Sequence, residues 1–156
     1  MSTPRENGIR VRPAERKDAK LIAGFQVAMA RETEKLELDP PTVRLGVAAV
    51  FDDPRKGRYW LAEFDGQVAG SLLTIAEWSD WRNGAVLWIH SVYIRPEFRR
   101  RGVFRALYTH LRKMVLAEEA LKGLRLYVDR RNRCAQQTYA ALGMDGEHYQ
   151  MYEWMK

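Results

Sequence analysis

The chain has 156 residues, 46% of them hydrophobic and 29% charged, with a formal net charge of +6. That is the length of one domain with a sizeable core, and the composition is too apolar for a disordered chain. No apolar run approaches the roughly 20 residues that span a bilayer, the opening Met1-Ser2-Thr3-Pro4-Arg5-Glu6-Asn7 lacks the apolar core of a signal peptide, and a lone cysteine, Cys134, excludes an internal disulfide framework.

Ile9 to Arg12 alternates apolar and basic residues and predicts a first strand, ended by Pro13. Ala14 to about Lys35 carries Leu21, Ile22, Phe25, Val27, Ala28 and Met29 at helical spacing. Leu38-Asp39-Pro40-Pro41 breaks the chain, and Thr42 is the expected cap of a second helix through Val43, Leu45, Val47 and Val50 to about Phe51. After a turn at residues 52–57, a strand from Arg58 to Phe64 meets the hairpin signal Asp65-Gly66 and a strand from Gln67 to about Ala76. A polar connection, Glu77 to Asn83, leads to the longest strand candidate, Ala85 to Ile94. Gly102 to about Glu118 reads as a helix with Val103, Ala106, Leu107, His110, Leu111 and Met114 on one face. Leu124 to Val128 predicts another strand, Arg133 to Leu142 a short helix closed by Gly143, and Tyr149 to Trp154 a last strand. The order is β-α-α-β-β-β-α-β-α-β. Hairpins come first and βαβ units follow, whose crossovers favour parallel pairing, so an α/β fold with a mixed sheet is expected. No repeat or linker interrupts it, and residues 1–156 are expected to form a single domain.

The basic residues are concentrated. Residues 95–133 hold 12 lysines and arginines against 4 acids, whereas the rest of the chain is slightly acidic. The focus falls on Arg99-Arg100-Arg101-Gly102, which joins the end of a strand to the start of a helix. N–H groups at a helix start are unpaired and carry the positive end of the dipole, so they attract a phosphate-bearing ligand. A glycine there lets the backbone approach that ligand closely. A solvated basic face is the plainer reading. No Lys-Ser/Thr follows the loop, so a Walker-type site is not expected. The three histidines show no metal-ligand spacing with Cys134, and no metal is expected.

The segment Val92-Tyr93-Ile94-Arg95-Pro96 through Arg99-Arg100-Arg101-Gly102-Val103-Phe104 resembles motif A of the Gcn5-related N-acetyltransferase (GNAT) superfamily, Arg/Gln-x-x-Gly-x-Gly/Ala after a strand ending in Val-x-Val/Ile-x-Pro. Phe104 departs from the usual small residue. The later segment Leu124 to Val128, Asn132, Ala135, Tyr139 and Gly143-Met144 resembles motif B of the same family, with Met144 in place of phenylalanine. The resemblance implies the GNAT acyltransferase fold with splayed central parallel strands, and an acetyl-coenzyme A site. It implies that the backbone of Val92, Tyr93 and Ile94 pairs with pantetheine, and that Arg99, Arg100, Arg101, Gly102, Val103 and Phe104 surround the diphosphate. Arg131 and Asn132 are implied nearer the pantetheine and nucleotide.

The implied reaction is acetyl transfer to a primary amine of a small molecule or peptide, by direct attack in a ternary complex. It needs a deprotonated amine, a donor for the oxyanion and a proton for the leaving thiolate. By resemblance Tyr139 is the general acid and the N–H of Val92 the oxyanion donor. A phenol keeps its proton at neutral pH; a packed tyrosine is the competing reading. His90 is the base candidate, because an imidazole titrates near neutrality. A core histidine, with water carrying the proton, is the alternative. Strand alternation puts Trp88, His90, Val92 and Ile94 on one face. For the acceptor, Glu32 and Glu77 are candidate ammonium contacts and Trp78 and Trp81 candidate aromatic walls, with a solvated helix end and ordinary packing as the plainer readings. The alternative function is a non-catalytic acyl-coenzyme A sensor. Neither nucleic acid nor membrane is an expected partner, a cytoplasmic location is expected, and a homodimer stays open because dimers are common in the family.

Overall fold

A computed structural model describes residues 8–156; the opening residues, read above for a signal peptide, lie outside the described residues. The described chain forms two compact units, one ending at Arg125 and one beginning at Leu126.

In the first unit five strands form one mixed sheet in the order β1-β2-β3-β4-β5. They are β1 (Ile9–Pro13), β2 (Arg58–Phe64), β3 (Gln67–Ser79), β4 (Gly84–Ile94) and β5 (Leu121–Arg125). The first four pair antiparallel, and β5 runs parallel to β4. The helices are α1 (Ala19–Met29), α2 (Pro40–Asp52) and α3 (Val103–Ala117). α1 does not run on regularly to Lys35: residues 30–34 form a π-helical turn, closed by Lys35 in a left-handed conformation. α2 is capped by Asp39, whose carboxylate accepts from the Thr42 N–H, with Pro40 at the first helical position. The cap therefore sits three residues before the one expected.

Strand alternation sorts the core into two layers. Tyr59, Leu61 and Leu73 face α1 and α2, where Ile22, Ala23 and Val47 complete a buried cluster. Trp60, Ala62 and Leu72 point to the other face, and α3 buries Val103, Ala106, Leu107 and Leu111. The Trp60 ring meets His110 of α3 at 5.0 Å. A largely buried ion cluster anchors the first strand: the Arg12 guanidinium donates to both Asp18 oxygens and to Glu63.

β3 runs three residues past its expected end, so Glu77 and Trp78 lie on a strand. The expected strand Leu124–Val128 is shifted to Leu121–Arg125. Its ladder with β4 starts at Ala85↔Leu121 and ends at Trp88↔Arg125. Just beyond, Ser91 has φ +52 and β4 carries one more residue than β3, with Ser71↔Tyr93 and Leu73↔His90 as successive odd pairs. This is a β-bulge, and a bulge bends its strand and raises its local twist.

In the second unit α4 (Arg133–Ala141) follows an irregular stretch. Asn132 caps it, accepting from the Ala135 N–H at 3.1 Å. Gly143, at φ +86, ends it: Gly143 N–H bonds Ala140 O and Met144 N–H bonds Tyr139 O, the Schellman pattern. The expected last strand, Tyr149–Trp154, does not form. Its alternation and aromatic content suit a strand, but a strand is held by a ladder of inter-strand bonds, which periodicity alone does not supply.

Candidate active site

The loop between β4 and α3 is built around two left-handed residues. Arg100 has φ +62 and Gly102 φ +80, with Arg101 between them. Such alternation turns successive N–H groups toward one concavity that suits an anion. Gly102 is the N-cap of α3 and supplies no side-chain cap. The first helical bond is Ala106 N–H to Gly102 O, and the N–H groups of Arg101, Gly102 and Val103 have no protein acceptor among the described residues. Apart from its chain neighbours, a Cβ built on Gly102 would meet no protein atom within 4 Å, so the loop is open on that side.

The three arginines differ. Arg100 makes no ion pair among the described residues. The Arg101 guanidinium lies over the Phe64 ring at 5.4 Å. Arg99 turns back: its Nε donates to Ile94 O at 2.9 Å, its Nη2 donates to Glu32 Oε2 at 2.6 Å, and its charged plane lies 5.8 Å from the Tyr93 ring. Phe104 lies in the first turn of α3 with its ring toward Tyr108.

On β4 the bulge corrects the expected face. His90 and Tyr93, not His90, Val92 and Ile94, stand opposite Leu73 and Ser71 and so share the face of α1 and α2 with Trp88. Past Trp88, Val92, Tyr93 and Ile94 have no β5 partner in the ladder. Tyr93 is buried, its ring touching Phe25 at 5.0 Å and its hydroxyl donating to Glu32 at 3.4 Å. Burial, then the Glu32 charge, raises its phenol above the ordinary value. The His90 ring lies 6.2 Å from Trp88 and nearly parallel to it. Burial lowers its pKa, which keeps the imidazole neutral and able to accept a proton at pH 7.

The four acceptor candidates do not come together. Glu32 sits at the Ile94 end of β4. Glu77 and Trp78 lie at the opposite end, facing Val86 and Ala85, and Trp81 is in the turn beyond. Seven residues separate Val86 from Tyr93, roughly 23 Å at about 3.3 Å per residue. Glu77 accepts from Arg125 at 3.0 Å, and Trp78 and Trp81 are mostly exposed. In the second unit, burial raises the Tyr139 phenol. The Arg131 guanidinium and N–H both bond Asp129, and hold its carboxyl down to about 2.

Two polar groups escaped the sequence reading. Gln26 and Ser71 are buried, and neither Gln26 Nε2 nor Ser71 Oγ has a partner among the described residues. Ser71 is the ladder partner of Tyr93, and Gln26 follows Phe25. In sequence both look like ordinary residues within apolar segments. The bulge is equally silent, because serine carries no glycine-like signal for a left-handed backbone.

A mixed sheet with a parallel pair at β4 and β5, beside a cationic helix start, describes an α/β fold with a place suited to an anion. The chain belongs to the acetyltransferase (GNAT) family, whose model matches residues 25–144. It is similar to a possible acetyltransferase from Clostridium difficile 630, at 40% identity over 95% of this chain and 97% of that one, with a TM-score of 0.87. A ribosomal-protein-alanine N-acetyltransferase from Brucella melitensis biovar Abortus 2308 shares the fold at 14% identity, covering 95% of this chain and 99% of that one, with a TM-score of 0.76. An aminoglycoside acetyltransferase from an uncultured soil metagenomic sample, in complex with sisomicin, also shares it at 13% identity, 96% and 98% coverage and a TM-score of 0.73. No curated protein sequence matches the chain. Among the described residues no helix is long and apolar enough to cross a membrane, and no cluster of His, Cys, Asp and Glu could hold a metal ion.

Proposed function

We propose that this acyltransferase uses acetyl-coenzyme A to acetylate a primary amine of a small molecule or peptide. One observation carries the reading: at the start of a 15-residue helix the N–H donors of Arg101, Gly102 and Val103 have no protein acceptor, and Arg100 no ion pair, among the described residues. These groups hold the diphosphate of the cofactor. The backbone of Val92, Tyr93 and Ile94, beyond the reach of β5, holds its amide arm. The bound cofactor supplies an acyl thioester.

The chain's own residues do the rest. Neutral His90 takes the ammonium proton at its imidazole nitrogen. The Val92 N–H is the donor for the carbonyl oxygen. By the family motif, Arg131 and Asn132 contribute to cofactor binding, and Tyr139, with its proton secured by burial, donates to the departing sulfur. Holding amine and thioester together supplies a further large part of the rate.

Calorimetric titration with coenzyme A and acetyl-coenzyme A at modest ionic strength, followed by thiol release across an amine panel, tests this. Binding with turnover is expected. Absence of heat with either ligand overturns the cofactor assignment, and binding without turnover on any amine favours the sensor alternative.

A further inference from the structure

Glu32 stands on the π-helical turn after α1, 67 residues from Arg99, yet the two side chains meet at 2.6 Å. The same carboxylate accepts from the Tyr93 hydroxyl at 3.4 Å with its other oxygen. It thus bridges the cofactor loop and the α1/α2 face of β4. Arg99 is also fixed at its Nε by Ile94 O, so the guanidinium keeps its place and only its outer edge can change partners. Both members of the ion pair are partly exposed, at 44% and 39% of the side chain. A pair that wet is weakly held. A diphosphate offers more negative charge and several acceptor oxygens, and it arrives in a loop that already presents free N–H donors and the Arg100 cation.

We propose that Glu32 is a counter-ion latch: it competes with the cofactor diphosphate for Arg99, and cofactor binding releases its carboxylate beside Tyr93 to hold the ammonium group of the acceptor. This rests on the cofactor reading above and deepens it. The acceptor class is a cationic amine, and its site gains its negative charge only when the cofactor has taken Arg99. Glu32 is a positioning residue that couples the two sites. The exchange needs little rearrangement. The π-helical turn ends at a left-handed lysine, and the carboxylate keeps the Tyr93 hydroxyl as a partner when Arg99 leaves.

Calorimetry with coenzyme A on the full chain at 0.15 M salt tests the latch through its sign. Glu32→Gln removes the competitor and should tighten binding about two- to fivefold, the range of a half-exposed ion pair. In an Arg99→Gln background the same change should have no effect, because the contested cation is gone. Glu97→Gln, which removes an equal charge from a carboxylate paired with Arg95 at 2.9 Å, separates the latch from the general field and should change affinity less. Steady-state assays should show a raised KM for a cationic amine in Glu32→Gln alongside the tighter cofactor. Equal gains in Glu32→Gln and Glu97→Gln, a gain that persists without Arg99, or weakened cofactor binding in Glu32→Gln overturns the latch while leaving the cofactor reading standing. No heat in wild type overturns both.

Discussion

Gly102→Ala probes the anion cradle most directly, because its structural cost and its functional cost can be separated. Gly102 has φ +80, a left-handed conformation. An alanine there costs roughly 1–2 kcal/mol in the folded state, offset by about 0.4–1 kcal/mol of lost freedom in the unfolded chain. Apart from the chain neighbours, no protein atom lies within 4 Å of the added methyl, so the cost is that of the backbone conformation alone. The net is about 1 kcal/mol, a fall in Tm of about 2–4 °C for a chain of this size. On the cradle reading, however, the methyl crowds a diphosphate drawn close to the backbone at residue 102. Losing one charge-assisted bond of about 1.5–3 kcal/mol weakens coenzyme A binding roughly ten- to a hundredfold. Gly66 supplies the control. In the β2–β3 turn it has φ +81 and equally open space. Gly66→Ala should lower Tm as much and leave affinity unchanged. Equal coenzyme A affinities for the two variants, measured by calorimetry, would refute the cradle.

Tyr139→Phe should lower kcat roughly a hundredfold or more with the coenzyme A affinity intact; undiminished turnover removes Tyr139 from proton transfer. His110 has a folded pKa below its ordinary value, through burial first and then Lys113 and Arg58. The unfolded chain therefore protonates first, and the stability contributed by the neutral ring is full above about pH 6.5 and lost as pH falls toward the folded value. Burial moves His90 the same way. Urea unfolding should thus show stability falling from pH 7 to 5, and His110→Phe, which keeps a ring against Trp60, should flatten that fall; an unchanged slope refutes the assignment. Trp81 is 88% exposed, so Trp81→Ala should leave stability within about 0.5 kcal/mol of wild type. Because Trp81 lies at the end of β4 opposite Glu32, Trp81→Ala should also leave the amine KM unchanged; a rise of about two- to fivefold, as for an exposed cation–π contact, would move the acceptor to that end.

The order of elements through α4 was legible because each carries its own periodicity and punctuation. Asp65-Gly66 makes the hairpin and Gly143 closes a helix. The start of α3 was legible for the same reason, since a left-handed cap before an apolar helix calls for glycine at 102. What stayed hidden depends on pairing. The bulge in β4 falls at Ser91, a residue type with no preference for a left-handed backbone. One extra residue there moves Tyr93 onto the face of His90, which strict alternation had denied it. The meeting of Glu32 with Arg99 is likewise invisible in sequence, because it needs α1 packed across β4.

The bulge and the loop answer one another. A strand edge without a neighbour presents N–H and C=O groups that need partners, and a helix start without a cap presents N–H groups that need an anion. Either alone is a liability that a fold normally covers with its own residues. Here the ladder from β5 stops at Trp88, and the uncapped start of α3 follows only a few residues beyond the end of β4. Two open needs of different chemistry, amide-like along the strand and anionic at the helix, are thus strung along one short stretch of chain. A ligand with amides at one end and a diphosphate at the other meets both at once, whereas a simple phosphate meets only the second. On the cofactor reading proposed above, the length of that stretch, more than any single arginine, is what selects an extended phosphorylated cofactor.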